Sequence, residues 1–369
     1  MLQGSANNAL IDFSREKPEL VRGLGPYRGK VNWDALELVV RTTEGSEFQK
    51  QYFRKGFLKA IRKHGLSAMT PWFRYHYACA RLALGDFSDY WGWEFRGLSE
   101  KEKDNYAADV FWSNTWLDKW GGAPVDRLLV IGEGGVGDSV LLGTILPECL
   151  ARAKEVIFEC DERLHGLFER SFPRLKCKPD TTFDDPRESY GKIDAFILAM
   201  DLMRMFRRDI RHFPGKPYLK PDPTRVAEFE KFRGREGVAW KGRQGSFDPL
   251  ALGLQHPISL QYKEFHRDIE QAPLDLWADI EGVVALCSVL SRVVTAPQSV
   301  YHFAGAQGVR VEVIEPEVRG EETGAVIWDR VLHYNDAKAP WYKDTRFFQS
   351  VAEWKKSSAT HPGAPEGRP

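Results

Sequence analysis

The chain has 369 residues, of which 43% are hydrophobic and 28% charged, which is enough apolar material for two or three domains with cores of their own. Lysine plus arginine equals aspartate plus glutamate at 52 each, so no net field draws the protein to nucleic acid or to a membrane. The five cysteines stand singly, without metal-ligand spacing, and we find neither a secretory signal nor a transmembrane segment. We therefore expect a cytoplasmic protein with reduced cysteines.

Helical patterns dominate the first third of the chain. Residues 48–61 place aromatic side chains on one face and lysines and arginines around the rest, which predicts a basic amphipathic helix. That basic face either contacts a phosphorylated or nucleic-acid acceptor or is simply solvated. The next stretch, residues 72–96, is rich in aromatic residues and ends in ARLALGDFSDYWGWEFR. This string resembles the last helix pair of a tetratricopeptide array, and we expect a single remnant unit.

A strand, a glycine turn, a helix and a second strand follow in the middle of the chain. The apolar run 128–131 predicts a buried strand, residues 139–153 have apolar positions at helical spacing, and residues 156–158 predict the next strand. A βαβ unit of this kind implies a parallel sheet, and ligands bind beyond the carboxyl ends of its strands. The glycine turn is therefore where we expect the chemistry.

This turn has three interpretations. It spells G-x-G-x-x-G with acids ending the next strand, as in a dinucleotide site; the residues are Gly132, Gly134, Gly137, Glu159 and Asp161. Asp138 favours a second interpretation, because a carboxylate in the first helical turn repels a pyrophosphate but suits a general base. In the third, Asp138 merely complements the helix dipole.

A second α/β unit follows a proline-rich connector at residues 214–223. A buried strand at 193–202 completes the first unit. The second unit is predicted to consist of strands 236–240, 258–260, 292–295 and 309–314 and helices 276–290 and 299–307. Its polar strand ends face the first unit across the connector, which predicts two Rossmann-like halves with a cleft between them.

Six strings, in this order, resemble the heptosyltransferase-like glycosyltransferases of GT-B fold, the type found behind tetratricopeptide repeats. The strings are GEGGVGDSVLLGTILP, PYLKPDP, GVAWKG, ISLQY, SVYHFAGAQG and APWYKDTRFFQ. The expected organisation is a helical region at 1–120, an acceptor domain at 121–222, a nucleotide-sugar domain at 223–354 and a disordered tail at 355–369. The fold class is α/β.

The resemblance also implies site residues. Asp138 matches the proposed general base, and Gly134, Gly135 and Gly137 form the loop on the acceptor side. The donor-binding positions are Trp240, Lys241, Gly242, Arg243, Gln261, Tyr262, Gln298, Ser299, Val300 and His302. Without a D-x-D motif we predict no metal, and no cofactor beyond a nucleotide-diphosphate sugar as donor. Trp341 and Tyr342 are expected to pack in the core or between the domains.

Two departures from the family leave the donor sugar open. Pro297 and Gln298 stand where heptosyltransferases carry an Asp-Thr pair, and the usual GEQG reads Gly132-Glu133-Gly134-Gly135. The sequence does not identify the acceptor either, which is a glycan, a lipid-linked sugar, a protein or a modified DNA base.

The leading hypothesis is a metal-independent, inverting glycosyltransferase. One alternative transfers sugar to hydroxylated DNA bases, served by the basic segments 50–63 and 204–220. Two others are an NAD-dependent Rossmann oxidoreductase and a catalytically silent nucleotide-sugar-binding module.

Overall fold

A computed structural model describes residues 118–179, 190–242, 245–314, 318–319, 340–348 and 350–360. The described residues up to Phe206 and from Phe213 onward belong to one compact unit, and the 3-10 turn Ile210–His212 belongs to another. The tetratricopeptide-like remnant and the basic segment 50–63 lie outside the described residues. Among the described residues, no helix is both long enough and apolar enough to cross a bilayer.

Five parallel strands form the first sheet, in the order β1-β5-β2-β3-β4. Their bounds are β1 Asp118–Lys119, β2 Val125–Ile131, β3 Ala153–Glu159, β4 Leu175–Lys178 and β5 Ala195–Leu198. The last four residues of both β2 and β3 are buried, as expected for central strands covered on both faces. The predicted βαβ unit is therefore confirmed.

The described residues of this half contain the helices α1 Val136–Leu142, α2 Leu146–Leu150, α3 His165–Ser171 and α4 Ala199–Phe206. The single helix predicted at 139–153 is wrong, because a 3-10 turn, Gly143–Ile145, separates α1 from α2. Pro147 stands in the first turn of α2, where its missing N–H costs nothing. The predicted strand 193–202 is also too long. It ends at Leu198 and the chain turns at once into α4, since an apolar run alone does not distinguish a strand from a buried helix.

Six parallel strands form the second sheet, in the order β10-β9-β6-β11-β12-β14. They are β6 Glu236–Ala239, β9 Ile258–Ser259, β10 Glu270–Gln271, β11 Arg292–Thr295, β12 Arg310–Ile314 and β14 Thr345–Phe348. A small antiparallel sheet joins β7 Lys241–Gly242, β8 Gly245–Ser246 and β13 Val318–Arg319. Two parallel sheets with helices confirm the predicted α/β class.

The helices described in the second half are α5 Pro223–Glu228, α6 Ile280–Val289, α7 Ser299–Gly305 and α8 Val351–Thr360, with 3-10 turns at Glu230–Phe232 and Leu250–Leu252. A further 3-10 turn, Glu162–Leu164, follows β3 in the first half. Helix α6 begins later than the predicted residue 276, because Asp279 caps it and accepts a hydrogen bond from Gly282 N at 2.8 Å. Helix α8 shows that residues 355–360, assigned to a disordered tail, are helical. The predicted connector 214–223 contains neither helix nor strand up to Asp222, and α5 begins at its last residue, Pro223.

Apolar side chains from one face of the second sheet and from α8 form a core that includes Val238, Val294, Ile314, Phe348 and Trp354. The four described cysteines are buried and form no disulfide bond: Cys149, Cys160, Cys177 and Cys287. Parallel strands bring the glycine turn after β2 and the polar residues after β6, β9 and β11 to the carboxyl edges of the two sheets.

Candidate active site

The glycine turn after β2 folds around the side chain of Asp138. Gly134 has φ +82°, a conformation that side chains other than glycine rarely adopt, and a Cβ there would lie 2.5 Å from Asp138 Oδ2. Asp138 is the third residue of α1, and its Oδ2 accepts a hydrogen bond from Gly135 N at 2.7 Å. Burial raises the pKa of this half-buried carboxyl, and the backbone N–H groups of Gly135 and Asp138 lower it in part.

The acids at the end of β3 are engaged in contacts of their own. Glu159 is buried and accepts a hydrogen bond from the hydroxyl of Tyr190. Asp161 binds Arg163 through two contacts, at 2.8 Å from Nε and 2.7 Å from Nη2. A dinucleotide site needs such an acid for ribose and free loop N–H groups for pyrophosphate. Since Gly135 N already donates to Asp138, the geometry does not favour that interpretation.

In the second half, two glutamines hold the strand ends together. Gln261 is buried, and its Oε1 accepts from Lys241 N at 2.8 Å and from Gln298 Nε2 at 3.4 Å. Gln298 Nε2 also donates to Lys241 O at 3.1 Å, so its side chain does not cap α7, which it precedes. Lys241, Gln261 and Gln298, all predicted to bind the sugar donor, are therefore in contact with one another. The first backbone N–H groups of α7 follow Gln298 directly in the chain.

The side chain of Lys241 is bound to Glu264. Their ammonium and carboxylate form an ion pair, with half of the Lys241 side chain exposed. Lys241 does leave the carboxyl end of β6, but it enters the hairpin β7–β8. Glu264 was not identified from the sequence, because a residue in the loop after β9 gives no local signal of a pairing across the sheet edge.

Gly137, the residue before Asp138, lies against the start of α7 in the other half. A Cβ at Gly137 would lie 3.3 Å from Ser299 Cα and from Ser299 Oγ, and 2.9 Å from His302 Cδ2. Only a glycine allows the turn to approach α7 so closely. The predicted base and the predicted diphosphate-binding turn are therefore neighbours.

His302 is buried one turn into α7. Its Nδ1 lies 3.1 Å from the hydroxyl of Tyr342, and its ring centroid is 3.7 Å from that of Tyr301. Burial lowers the pKa of His302 to about 3, so the ring is neutral near pH 7. The expected packing role of Trp341 and Tyr342 is confirmed, since both are buried and Trp341 contacts Phe213 edge to face at 4.8 Å.

The remaining predicted donor residues occupy different surroundings. Trp240 is buried and packs edge to face on His266, and Val300 is buried in α7. Gly242 lies so close to the backbone of Pro297 that a Cβ added at Gly242 would lie 2.1 Å from Pro297 O. Tyr262 is partly exposed, with its ring 5.4 Å from that of Trp277. Arg243 lies outside the described residues.

Trp277 is an exposed aromatic residue that the sequence did not single out. Arg163 of the first half donates to Trp277 O at 2.7 Å, and its guanidinium carbon lies 4.8 Å from the indole centroid. Arg170 makes a second bridge between the halves, to Glu281 at 2.5 Å. Among the residues that the structure covers, no group of three histidine, cysteine or acidic side chains is arranged to hold a metal ion.

No family model matches the chain. It is 27% identical over 276 residues to the protein FlbA of Caulobacter vibrioides, a match covering 62% of this chain and 44% of FlbA. The chain thus spans less than half the length of that relative.

Among solved structures, the chain is similar to a glycosyl transferase family 9 protein of Veillonella parvula, with 9% identity and a TM-score of 0.44 over 67% of this chain and 92% of that one. It is also similar to the E. coli ADP-heptose lps heptosyltransferase II, with 11% identity and a TM-score of 0.43 over 64% and 100%. These are proteins of the kind that the ordered sequence strings resemble. Similarity at this level leaves the activity to be argued from the residues.

Proposed function

We propose that the protein is a glycosyltransferase that moves a sugar from a nucleotide-diphosphate sugar to an acceptor hydroxyl. The observation that supports this most is the contact of the Asp138 turn with the first turn of α7, at Gly137 and Ser299. Sugar transfer needs a base for the acceptor hydroxyl and a positive environment for the departing diphosphate. The proposed base and the proposed diphosphate-binding turn are on elements that touch each other, as such a reaction requires.

Asp138 serves as the general base. The acceptor oxygen forms a bond to the anomeric carbon while the bond from that carbon to the diphosphate breaks, and the hydroxyl proton passes to Asp138. A single displacement of this kind inverts the anomeric centre. The raised pKa of Asp138 supports the role, because a base is most effective when its pKa approaches the working pH.

The leaving diphosphate binds between Lys241 and the start of α7. The backbone N–H groups of Ser299 and Val300 offer hydrogen bonds at the positive end of the helix. Lys241 exchanges Glu264 for the diphosphate, and this contact strengthens as charge builds on the leaving group. In the proposed reaction, these groups neutralise the negative charge of the leaving diphosphate, and no metal ion is needed for that role. The donor is a cytoplasmic nucleotide sugar, and the acceptor is one of the four classes named above.

Calorimetric titration tests this function, with ADP, UDP, GDP, CMP and NADH each added to the protein in EDTA. We expect saturable binding of one nucleoside diphosphate, followed by release of that diphosphate from the corresponding sugar nucleotide. Binding that appears only with Mg²⁺ or Mn²⁺ would contradict metal independence. Binding of NADH with no nucleoside diphosphate bound would contradict the transferase.

A further inference from the structure

A group of charged side chains lies near the amino-terminal edge of the six-stranded sheet, at the opposite end of the strands from the candidate active site. Arg292 of β11 is in register with Glu236 of β6 and with Arg310 of β12. Glu312, two residues further along β12, is in register with Arg346 of β14. Residues two apart in a strand share a face, so these five side chains lie on the face that α8 covers.

The two carboxylates of this group are already neutralised. Glu312 is almost completely buried and accepts from Arg292 Nη1 at 3.0 Å, Arg310 Nη2 at 2.5 Å and Trp354 Nε1 at 2.7 Å. Glu236 accepts from Arg292 Nε at 2.6 Å. Two arginines therefore balance two glutamates, and the third arginine of the group adds one unit of positive charge.

The side chain of that third arginine, Arg346, is exposed and makes no ion pair or hydrogen bond within the part of the chain that the structure describes. It lines a cavity of about 320 Å³ together with Arg310, Ser357 and Ser358, and the arginine-bound Glu236 and Glu312 also line it. Arg310 is 41% exposed and uses one N–H group on Glu312, so donors of both arginines remain for a ligand. The half-buried Ser358 of α8 adds a hydroxyl.

We propose that this cavity binds a small oxyanion ligand of the phosphate class, at a site separate from the sugar-transfer site. Planar guanidinium groups match phosphate oxygens through paired, charge-assisted hydrogen bonds, and the hydroxyl of Ser358 adds a further donor. The excess positive charge favours an anion. The volume lies at the lower end of the roughly 300–1,000 Å³ of small-molecule cavities, which suits a single phosphate group better than a nucleotide.

A thermal-shift titration with inorganic phosphate, at an ionic strength held constant with chloride, tests the site. Phosphate that binds only the folded state should raise Tm in a saturable way. Arg346→Ala should weaken the apparent affinity about tenfold or more, because it removes charge-assisted hydrogen bonds. The variant should fold, since the described residues give Arg346 no partner to lose. Ser358→Asp, which brings a negative charge into the cavity, should weaken binding as well.

Two controls separate this site from the others. Arg267→Ala removes an exposed arginine in the loop after β9, and Lys241→Ala alters the proposed donor site. Both should bind phosphate at this cavity as the wild type does. The proposal is overturned if phosphate gives no saturable shift, if Arg346→Ala and Ser358→Asp leave the shift unchanged, or if Lys241→Ala removes it instead.

Discussion

At the scale of single residues, the buried ring of His302 in the candidate site should make the stability of the fold depend on pH. Its pKa is lowered to about 3 in the folded protein, against about 6.5 when unfolded, so the unfolded chain binds more protons between these values. The free energy of unfolding should therefore fall as the pH drops from about 6.5 towards 3. His302→Gln should flatten this part of the profile by up to about 1.4 kcal/mol per pH unit. Parallel wild-type and variant curves from urea unfolding would contradict the buried neutral ring.

The ion pair of Lys241 with Glu264 gives a second prediction at this scale. Lys241→Ala should weaken binding of a nucleoside diphosphate and slow transfer more than it weakens binding, because its contact strengthens in the transition state. Glu264→Gln should instead tighten binding by no more than about fivefold, since an exposed pair contributes little.

Calorimetry and turnover distinguish these effects. Lys154→Ala is the matched control, because it removes a similar exposed ion pair, with Asp126, at the amino-terminal ends of β3 and β2 in the first sheet. If Lys241→Ala matches the control in both measurements, Lys241 does not belong to the site.

At the scale of elements, the contact between the glycine turn and α7 predicts the effect of Gly137→Ala. The added methyl would lie 2.9 Å from the buried ring of His302, so the turn or α7 must shift. Overpacking of this kind costs about 1–3 kcal/mol, which should outweigh the gain of about 1 kcal/mol from alanine in a helix. We expect a lower Tm and slower transfer. Gly121→Ala, with no atom within 4 Å of the added methyl, should leave both unchanged. A wild-type Tm and rate for Gly137→Ala would show that the two elements are not in contact.

The elements themselves were predictable to different degrees. Strands β11 and β12 were predicted to within one residue of their observed bounds, because buried parallel strands are short, continuous apolar runs bounded by polar residues and glycine. Strands β2 and β3 were located correctly, but each starts three residues earlier than its apolar run. The break between α1 and α2 and the start of α4 inside a predicted strand could not be read from periodicity. Both depend on packing: a Cβ at Gly143 would lie 2.9 Å from Phe168 Cε1 and 3.0 Å from Tyr218 Cε2.

At the scale of the whole molecule, the sequence placed Asp138, Gln261 and Gln298 at strand ends that should converge. The structure brings Gln261 and Gln298 into contact, and it brings the Asp138 turn against α7. The pairing of Lys241 with Glu264 and the bridge from Arg163 to Trp277 could not be predicted. They join residues far apart in the chain, and only the tertiary fold fixes the distance between them.

Asp138 is the proposed base in a transfer whose nucleotide lies across the cleft. Measuring turnover and nucleotide affinity together for Asp138→Asn tests this role most directly. The asparagine oxygen can still accept the hydrogen bond from Gly135 N, so the turn should keep its fold while the base is lost. The control, Asp222→Asn, alters a helix-capping aspartate that accepts from Thr224 N at 2.8 Å.

Release of nucleoside diphosphate from the donor identified by calorimetry should fall by about two to four orders of magnitude in Asp138→Asn, with affinity for the diphosphate nearly unchanged. Asp222→Asn should turn over as the wild type does. Wild-type turnover in a folded Asp138→Asn variant would contradict the assignment of the base.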